Sequence, residues 1–349
     1  MARKPRPKSK SKSKTKTKVK PPATDDAIAE MKEQVSNRRD QLPEGQTRKS
    51  FSFEWECVPV PNAMEAEMLR RVVKRGKYNA ISDPEKEAIS EYIVTSKSAM
   101  TLSQAISLRS AVLQDKTMNR HHAVLGRHAK EITNRYQRGQ GILSLAKQYD
   151  SPPVNLFRTV LAGKGFQKFQ IKQCIKTPEN HLNERDCQEF LKACREDVVS
   201  NPNCDAAHEQ AEVFETITEQ FLKDLGVAYL TQTDLIKEQK PKFGKIVASP
   251  DFLLLDDVMV NGHHVRWIDC KAFYGANVNC RKKGVRKQTA RYQEYWGSGA
   301  VIFLEGFSES LLDIADCTCL SARQFMEARY FEPLSVSFVN GTAAQGKQG

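Results

Sequence analysis

The chain lacks any apolar run near the roughly eighteen residues of a membrane span, and it has no secretory hydrophobic segment. It also lacks any C-x-x-C pair. Its nine cysteines (Cys57, Cys174, Cys187, Cys194, Cys204, Cys270, Cys280, Cys317 and Cys319) are odd in number and scattered. That argues against a disulfide framework, and reduced thiols in an intracellular protein are the expectation. Cys187, Cys194, Cys204 and His208 fall close together, but without the paired spacing of structural zinc ligands. Acids are absent from residues 1–20, which hold ten Lys or Arg. Beyond residue 20 there are 44 basic and 42 acidic residues, so the net charge of +12 belongs mostly to the tail. A basic balance of this kind is no argument for a cationic folded surface.

Residues 1–24 alternate Lys with Ser or Thr and end in Pro-Pro. Nothing there can build a core, so the segment is expected to be disordered. It has no apolar face for a mitochondrial presequence. A nuclear-import signal or a nucleic-acid-clinging arm fits it, with a solubilising tail as the plain alternative. The organisation expected is a disordered tail and linker over 1–60, a helical domain over 61–200, a mixed α/β domain over 207–338, and a disordered end over 339–349.

Within the helical part, Ser82-Asp83-Pro84-Glu85 is a helix start, with Ile89, Ile93 and Val94 on its buried face. A short helix is expected over 101–114 and a longer one from Arg120 to Gln137. Gly141 to Phe166 reads as a helix-turn-helix. Ile142, Leu143, Leu145 and Ala146 form a first helix, and Pro152-Pro153 start a second that carries Val154, Leu156, Phe157, Val160 and Leu161. Such a pair can place Asn155 and Arg158 in a DNA groove, or it can simply be a packing unit.

After residue 207 the period changes. Ala211 to Leu225 is an amphipathic helix stopped by Gly226, followed by a strand at Val227 to Leu230. Apolar runs then flank Asn261-Gly262, the strongest short-range hairpin signal. This hairpin carries Ser249-Pro250-Asp251 on one arm and Ile268-Asp269-Cys270-Lys271 on the other. A helix over Lys287 to Trp296, a strand over Ala300 to Leu304, and one more helix and strand complete the domain. Carboxylates that hold a hard cation, beside a lysine that orients water, are what metal-dependent phosphodiester cleavage requires. A third acid would come from the preceding helix, from Glu215 or from Glu212 one turn earlier. The spacing makes a demand: a strict two-residue turn pairs Asp251 with Ala272 and puts the two aspartates on opposite faces. A three-residue turn with a Gly bulge would pair Asp251 with Lys271 and unite them, and that register is predicted. Arg281, Lys282, Lys283, Arg286, Lys287 and Arg291 follow the second arm, as a phosphate-tracking wall or as a solvated loop.

This array resembles the PD-(D/E)XK nuclease superfamily, its archaeal Holliday-junction resolvases in particular. It is more closely similar to the eukaryotic codanin-binding nucleases linked to congenital dyserythropoietic anaemia type I. The residues that carry the resemblance are Pro250-Asp251-Phe252, Trp267-Ile268, Lys271-Ala272, Gly275, Gln288, Tyr292, Gly297 and Val301-Ile302. Tyr136-Gln137-Arg138 and the stretch from Leu145-Ala146 to Leu161 add to it upstream. The resemblance covers roughly residues 115–335 and implies an α+β protein: an all-helical domain with a helix-turn-helix, then a restriction-endonuclease-like α/β domain with a mixed sheet. It implies Glu215, Asp251, Asp269 and the Cys270 carbonyl as ligands of Mg²⁺ or Mn²⁺, and Lys271 as the residue that activates or steers the attacking water. Gln288, with Tyr292 one turn on, would position phosphate or water. Asp269 stands where the relative has Glu, and only one of the relative's two helix glutamates aligns here. The expected function is a nuclear, metal-dependent, structure-selective DNA endonuclease acting on branched or single-stranded DNA with a codanin-like partner, with homodimerisation open. The competing readings are a catalytically weak or inactive nuclease-fold adaptor for that partner and a DNA-binding helix-turn-helix protein.

Overall fold

Phe51 and Phe53 alternate with serines, which suffices for a strand once a partner exists. In the computed structural model, which describes residues 25–55, 57–120, 125–200 and 205–322, they lie on β1 (Ser50–Phe53), parallel to a strand far later in the chain. The linker expected over 25–60 is thereby corrected. Helix α1 (Asp25–Ser36) leads into a 3-10 turn at Asn37–Asp40. Trp296 Nε1 donates to Val35 O at 3.0 Å, fastening α1 to the last long helix. The alternation at Ser50–Phe53 is too short to announce a strand by itself, and its partner is remote in sequence. The expectations for residues 1–24 and 339–349 lie outside the described residues.

Nine helices follow among the described residues: α2 (Asn62–Val72), α3 (Asp83–Thr95), α4 (Leu102–Arg120), α5 (Gly126–Gln137), α6 (Ile142–Tyr149), α7 (Pro153–Gly163), α8 (Lys168–Lys176), α9 (Pro178–His181) and α10 (Glu184–Arg195). Helix α3 begins where the sequence places it, with a Ser82–Glu85 capping box and a proline in the first turn. The helical hairpin forms as α6 and α7, turning through Asp150 at φ 49°. Helix α7 is deeply enclosed: Val154, Leu156, Phe157, Val160 and Leu161 are buried in one core with Ile132, Tyr136 and Phe190. Gly163 permits close approach to α5, since a Cβ there would stand 2.0 Å from Thr133 Oγ1. Helices α2 to α4 use a different core, which also takes in Tyr274 and Ala276. The first helices therefore pack as part of the sheet region.

The rest comprises α11 (Asp205–Leu225), β2 (Tyr229–Thr231), α12 (Gln232–Phe243), β3 (Phe252–Val260), β4 (His263–Lys271), α13 (Asn279–Trp296), β5 (Gly299–Phe303) and β6 (Cys317–Ser321). The fold is α+β with a mixed sheet, ordered β1-β3-β4-β5-β6, in which β2 also pairs with β3. Pairs β1/β3, β4/β5 and β5/β6 are parallel; β2/β3 and β3/β4 are antiparallel. Helix α12 was not anticipated, because Pro241 and its lysines blur the period that Thr231 and Asp234 initiate. The helix expected before the last strand is only a 3-10 turn at Glu309–Leu311. One sheet face packs on Phe214, Ile217 and Leu222 of α11. The other packs on Val285, Tyr292 and Trp296 of α13. Burying side chains of this size contributes about 1.5–3 kcal/mol each.

Candidate active site

The hairpin closes through two residues. Asn261 and Gly262 have φ of 51° and 77°, and Val260 stands opposite His263. The expected three-residue turn is thus corrected. Carried unbroken, this register would put the two aspartates on opposite faces. It is not carried: Val258 opposes Val265, but Leu253 opposes Trp267. Four residues of β3, Leu254 to Asp257, face the single residue Arg266 of β4. The jump is of three positions, an odd number, so it exchanges the faces. Continued one step past Phe252 opposite Ile268, it brings Asp251 opposite Asp269.

The bulge lies where β3 changes its outer neighbour from β2 to β1. Arg39 reaches it from the 3-10 turn. Its Nε donates to Leu254 O at 2.9 Å, and its Nη2 donates to Asp256 O and Asp257 Oδ1, each at 2.8 Å. Asp256 accepts from Lys49 N at 2.8 Å and from Ala228 N at 2.7 Å, fixing the starts of β1 and β2. Both side chains are buried. Together they satisfy backbone groups that the interrupted ladder leaves open. Neither was singled out in the sequence; the available signal was Asp256-Asp257, two acids inside an apolar strand.

The acids meet below this bulge. Asp251 Oδ2 accepts from Cys270 N at 2.6 Å, and Gln232 Nε2 lies 3.3 Å from Oδ1. Asp269, 1 % exposed, accepts from Gln288 Nε2 at 3.0 Å. The Tyr292 hydroxyl lies 3.3 Å from Asp269 Oδ1 and 3.2 Å from Ser249 O, donating to one at a time. Lys271 forms an ion pair with Asp269 Oδ2. Glu215 is half-buried on α11, while Glu212 is exposed. Burial, then the charge of Asp269, pushes the Asp251 carboxyl up to about 8. Burial likewise raises Asp269, although Lys271 opposes it. Glu215 is raised by burial and then by Asp269, so it shares the field of the pair. The Cys270 thiol is buried and raised well above its usual value. Lys271 O accepts from Leu304 N of the β5 side at 2.9 Å. Alternation then turns the Cys270 amide and carbonyl toward the Asp251 side.

Three carboxylates against one ammonium leave surplus negative charge in a buried place, and an all-oxygen donor set suits a hard divalent cation. Among the described residues, however, no group of three or more His, Cys, Asp or Glu side chains stands at metal-holding spacing. The Cys270 N–H and the Lys271 ammonium already engage Asp251 and Asp269. The residues fit a cation by type, with Lys271 supplying part of the positive charge.

The six cations after β4 divide. Lys283, Lys287 and Arg291 are exposed at four-residue spacing along α13, beside Gln288. Arg281 stacks over Phe273 at 3.9 Å, and burial lowers its pKa. Lys282 lies 3.5 Å from Asn277 Oδ1, and Arg286 pairs with Asp313 at 2.6 Å. Asn155 and Arg158 lie on α7 in the helical region, away from this row. They are half-buried and bonded to each other at 2.8 Å. The Val154 N–H at the start of α7 is closed by Asp197 Oδ2 at 2.9 Å.

A family model described as a protein of unknown function with a TPD sequence motif matches residues 182–323. Pro-Asp occurs once in that stretch, at Pro250-Asp251. Uncharacterised protein L539 of Acanthamoeba polyphaga mimivirus is 28 % identical over 145 residues, 40 % of this chain and 50 % of that protein. Proteins named CDAN1-interacting nuclease 1 from Xenopus laevis and Xenopus tropicalis are each 26 % identical over 178 residues, 49 % of this chain and 56 % of theirs. The chain thus spans about half the length of the curated relatives it matches. No solved structure matches. The chain is a distant relative of proteins named CDAN1-interacting nuclease 1.

Proposed function

We propose that the chain is a nuclear, divalent-metal-dependent endonuclease of PD-(D/E)XK type that cuts branched or single-stranded DNA with a codanin-like partner. The observation that carries this reading is the three-position register jump, which sets Asp251 against Asp269 despite a two-residue turn. The names of the distant relatives support both the nuclease and the partner. Asp251, Asp269, Glu215 and the Cys270 carbonyl would hold Mg²⁺ or Mn²⁺. When bound, the ion would polarise the phosphate and acidify a coordinated water. Gln288 and Tyr292 fix the orientation of Asp269. Lys271 neutralises Asp269 and stands ready to hold the attacking water. Lys283, Lys287 and Arg291 would hold the strand by its phosphates. Symmetric cutting of a branched substrate would call for two copies.

The test is purified full chain on branched, flapped and single-stranded DNA with Mg²⁺, Mn²⁺ or EDTA. Cleavage that needs the ion and vanishes in Asp251→Ala and Lys271→Ala supports the enzyme. Equal, feeble cleavage in all arms would remove it. The second reading, a nuclease fold kept as an adaptor for a codanin-like scaffold, draws on the Lys271–Asp269 ion pair, which gives the deepest acid a countercharge without a metal.

A further inference from the structure

We infer that the outer face of α8 is a second nucleic-acid contact, a track on which Phe169 stacks against a base of single-stranded DNA while Lys168, Lys172 and Lys176 meet phosphates. The inference deepens the endonuclease reading by naming where the strand is held apart from the acids. It rests on that reading only for the choice of DNA.

Gly163 to Thr177 contains lysine at every fourth position, 164, 168, 172 and 176, and no acid. Ile171, Cys174 and Ile175 turn inward onto the helical core, which fixes the opposite face as outer. There Lys168, Phe169, Lys172, Gln173 and Lys176 are all exposed. The helix is started by amides, with Gln170 Oε1 accepting from Gln167 N at 2.7 Å. Acids favoured at helix starts are thus absent, and the face stays free of negative charge. Lys164 is anchored to Asp186 at 2.5 Å. Among the described residues, Lys168, Lys172 and Lys176 form no ion pair at all. Phe169, 64 % exposed, is the one exposed aromatic among the described residues. With Lys172, Gln173 and Lys176 it lines a shallow groove of about 310 Å³.

Lysines four apart rise about 6 Å per step along a helix, comparable with successive phosphates of an extended strand. A bare aromatic within such a row is the combination that single-strand binding uses, cations for the backbone and a ring for any base. One phenylalanine beside a glutamine offers too little apolar face for a bilayer.

The test uses full-length chain carrying Asp269→Asn, so that DNA is not cut, in EDTA with a short fluorescent oligothymidylate. Replacing Lys168, Lys172 and Lys176 by Gln should reduce the log–log salt slope by about 2 between about 50 and 200 mM salt. Phe169→Ala should weaken binding by about 5- to 100-fold with the slope unchanged, and Phe169→Trp should restore it. Circular-dichroism melting confirms that each variant is folded. Wild-type affinity in both variants would overturn the proposal. So would equal losses on poly-glutamate, which would make the face a site for an acidic protein. Binding read without metal fails or survives independently of cleavage.

Discussion

Asp150 in the helical region and Asp251 with Asp269 in the sheet are all buried acids, and the fold treats them in opposite ways. Asp150 has more donors than it needs: Gly76 N at 2.8 Å, Lys116 at 2.7 Å and Arg120 at 2.8 Å. Burial pushes its carboxyl up, but Lys116, the Gly76 N–H and Arg120 outweigh that and hold it below its usual value. Around Asp251, Asp269 and Glu215 a single ammonium faces three carboxyls, and all three are raised. Asp150 is matched by two cations, whereas the sheet acids share one, and a shortfall of countercharge among clustered carboxyls is what a functional site can exploit.

Exchanging carboxylate for amide should separate the two kinds most sharply. Asp269→Asn should cut metal-dependent cleavage by about 10²–10³-fold, the scale for removing one preorganised electrostatic group, while the urea midpoint stays level or rises. Cleavage that survives this change would place the chemistry elsewhere. Asp150→Asn should leave cleavage per folded molecule intact and cost about 3 kcal/mol in urea unfolding, the lower end for a broken buried ion pair because Arg120 is half exposed.

The bulge offers a smaller, indirect effect. Arg39→Ala leaves Leu254 O and Asp256 O without their donor. It should cost about 2 kcal/mol, within the range of about 1–3 kcal/mol for an unmet buried group. It should also abolish the rise in melting temperature expected of the wild type with Mn²⁺, because the aspartates lose their register. A full Mn²⁺ shift in Arg39→Ala would show that the turn alone sets the site.

This residue also marks where sequence legibility stops. The Asn261-Gly262 turn, the start of α3 at Ser82-Asp83-Pro84 and the α6–α7 pair carry local chemistry, so they could be read from neighbours. That Asp251 and Asp269 must share a face was legible too, but not the means. The bulge depends on Arg39 and Asp256 meeting across the chain and on β1 and β2 dividing one strand between them. Helix α1 and β1 escaped notice for the same reason, since their partners lie hundreds of residues away. Glu215, the first choice from the sequence, and Glu212 lie on similar sides of an isolated helix, and their difference in burial shows only once α11 is seated.

The gentlest test of the contrast is pH. A carboxyl raised in the fold stabilises fully below its unfolded value and loses that contribution as pH climbs through the folded one. For Asp251 the window runs from 3.8 to about 8. A lowered carboxyl does the reverse, so Asp150 stabilises above its unfolded value and loses this only as pH falls through the lowered one. Without metal, then, the sheet around Asp251 should soften toward alkali and the α4–α6 contact at Asp150 toward acid. All three tryptophans, Trp55, Trp267 and Trp296, lie in the two sheet cores, so their fluorescence reports the sheet alone. Hydrogen exchange in α4 and α6 reports the Asp150 contact. In EDTA, the tryptophan melting temperature should fall between pH 5 and 8, and Asp251→Asn or saturating Mn²⁺ should flatten that fall. A parallel response of both regions to pH would mean that the charge of the sheet acids is met from within the protein, and the argument for a bound cation would lose its footing.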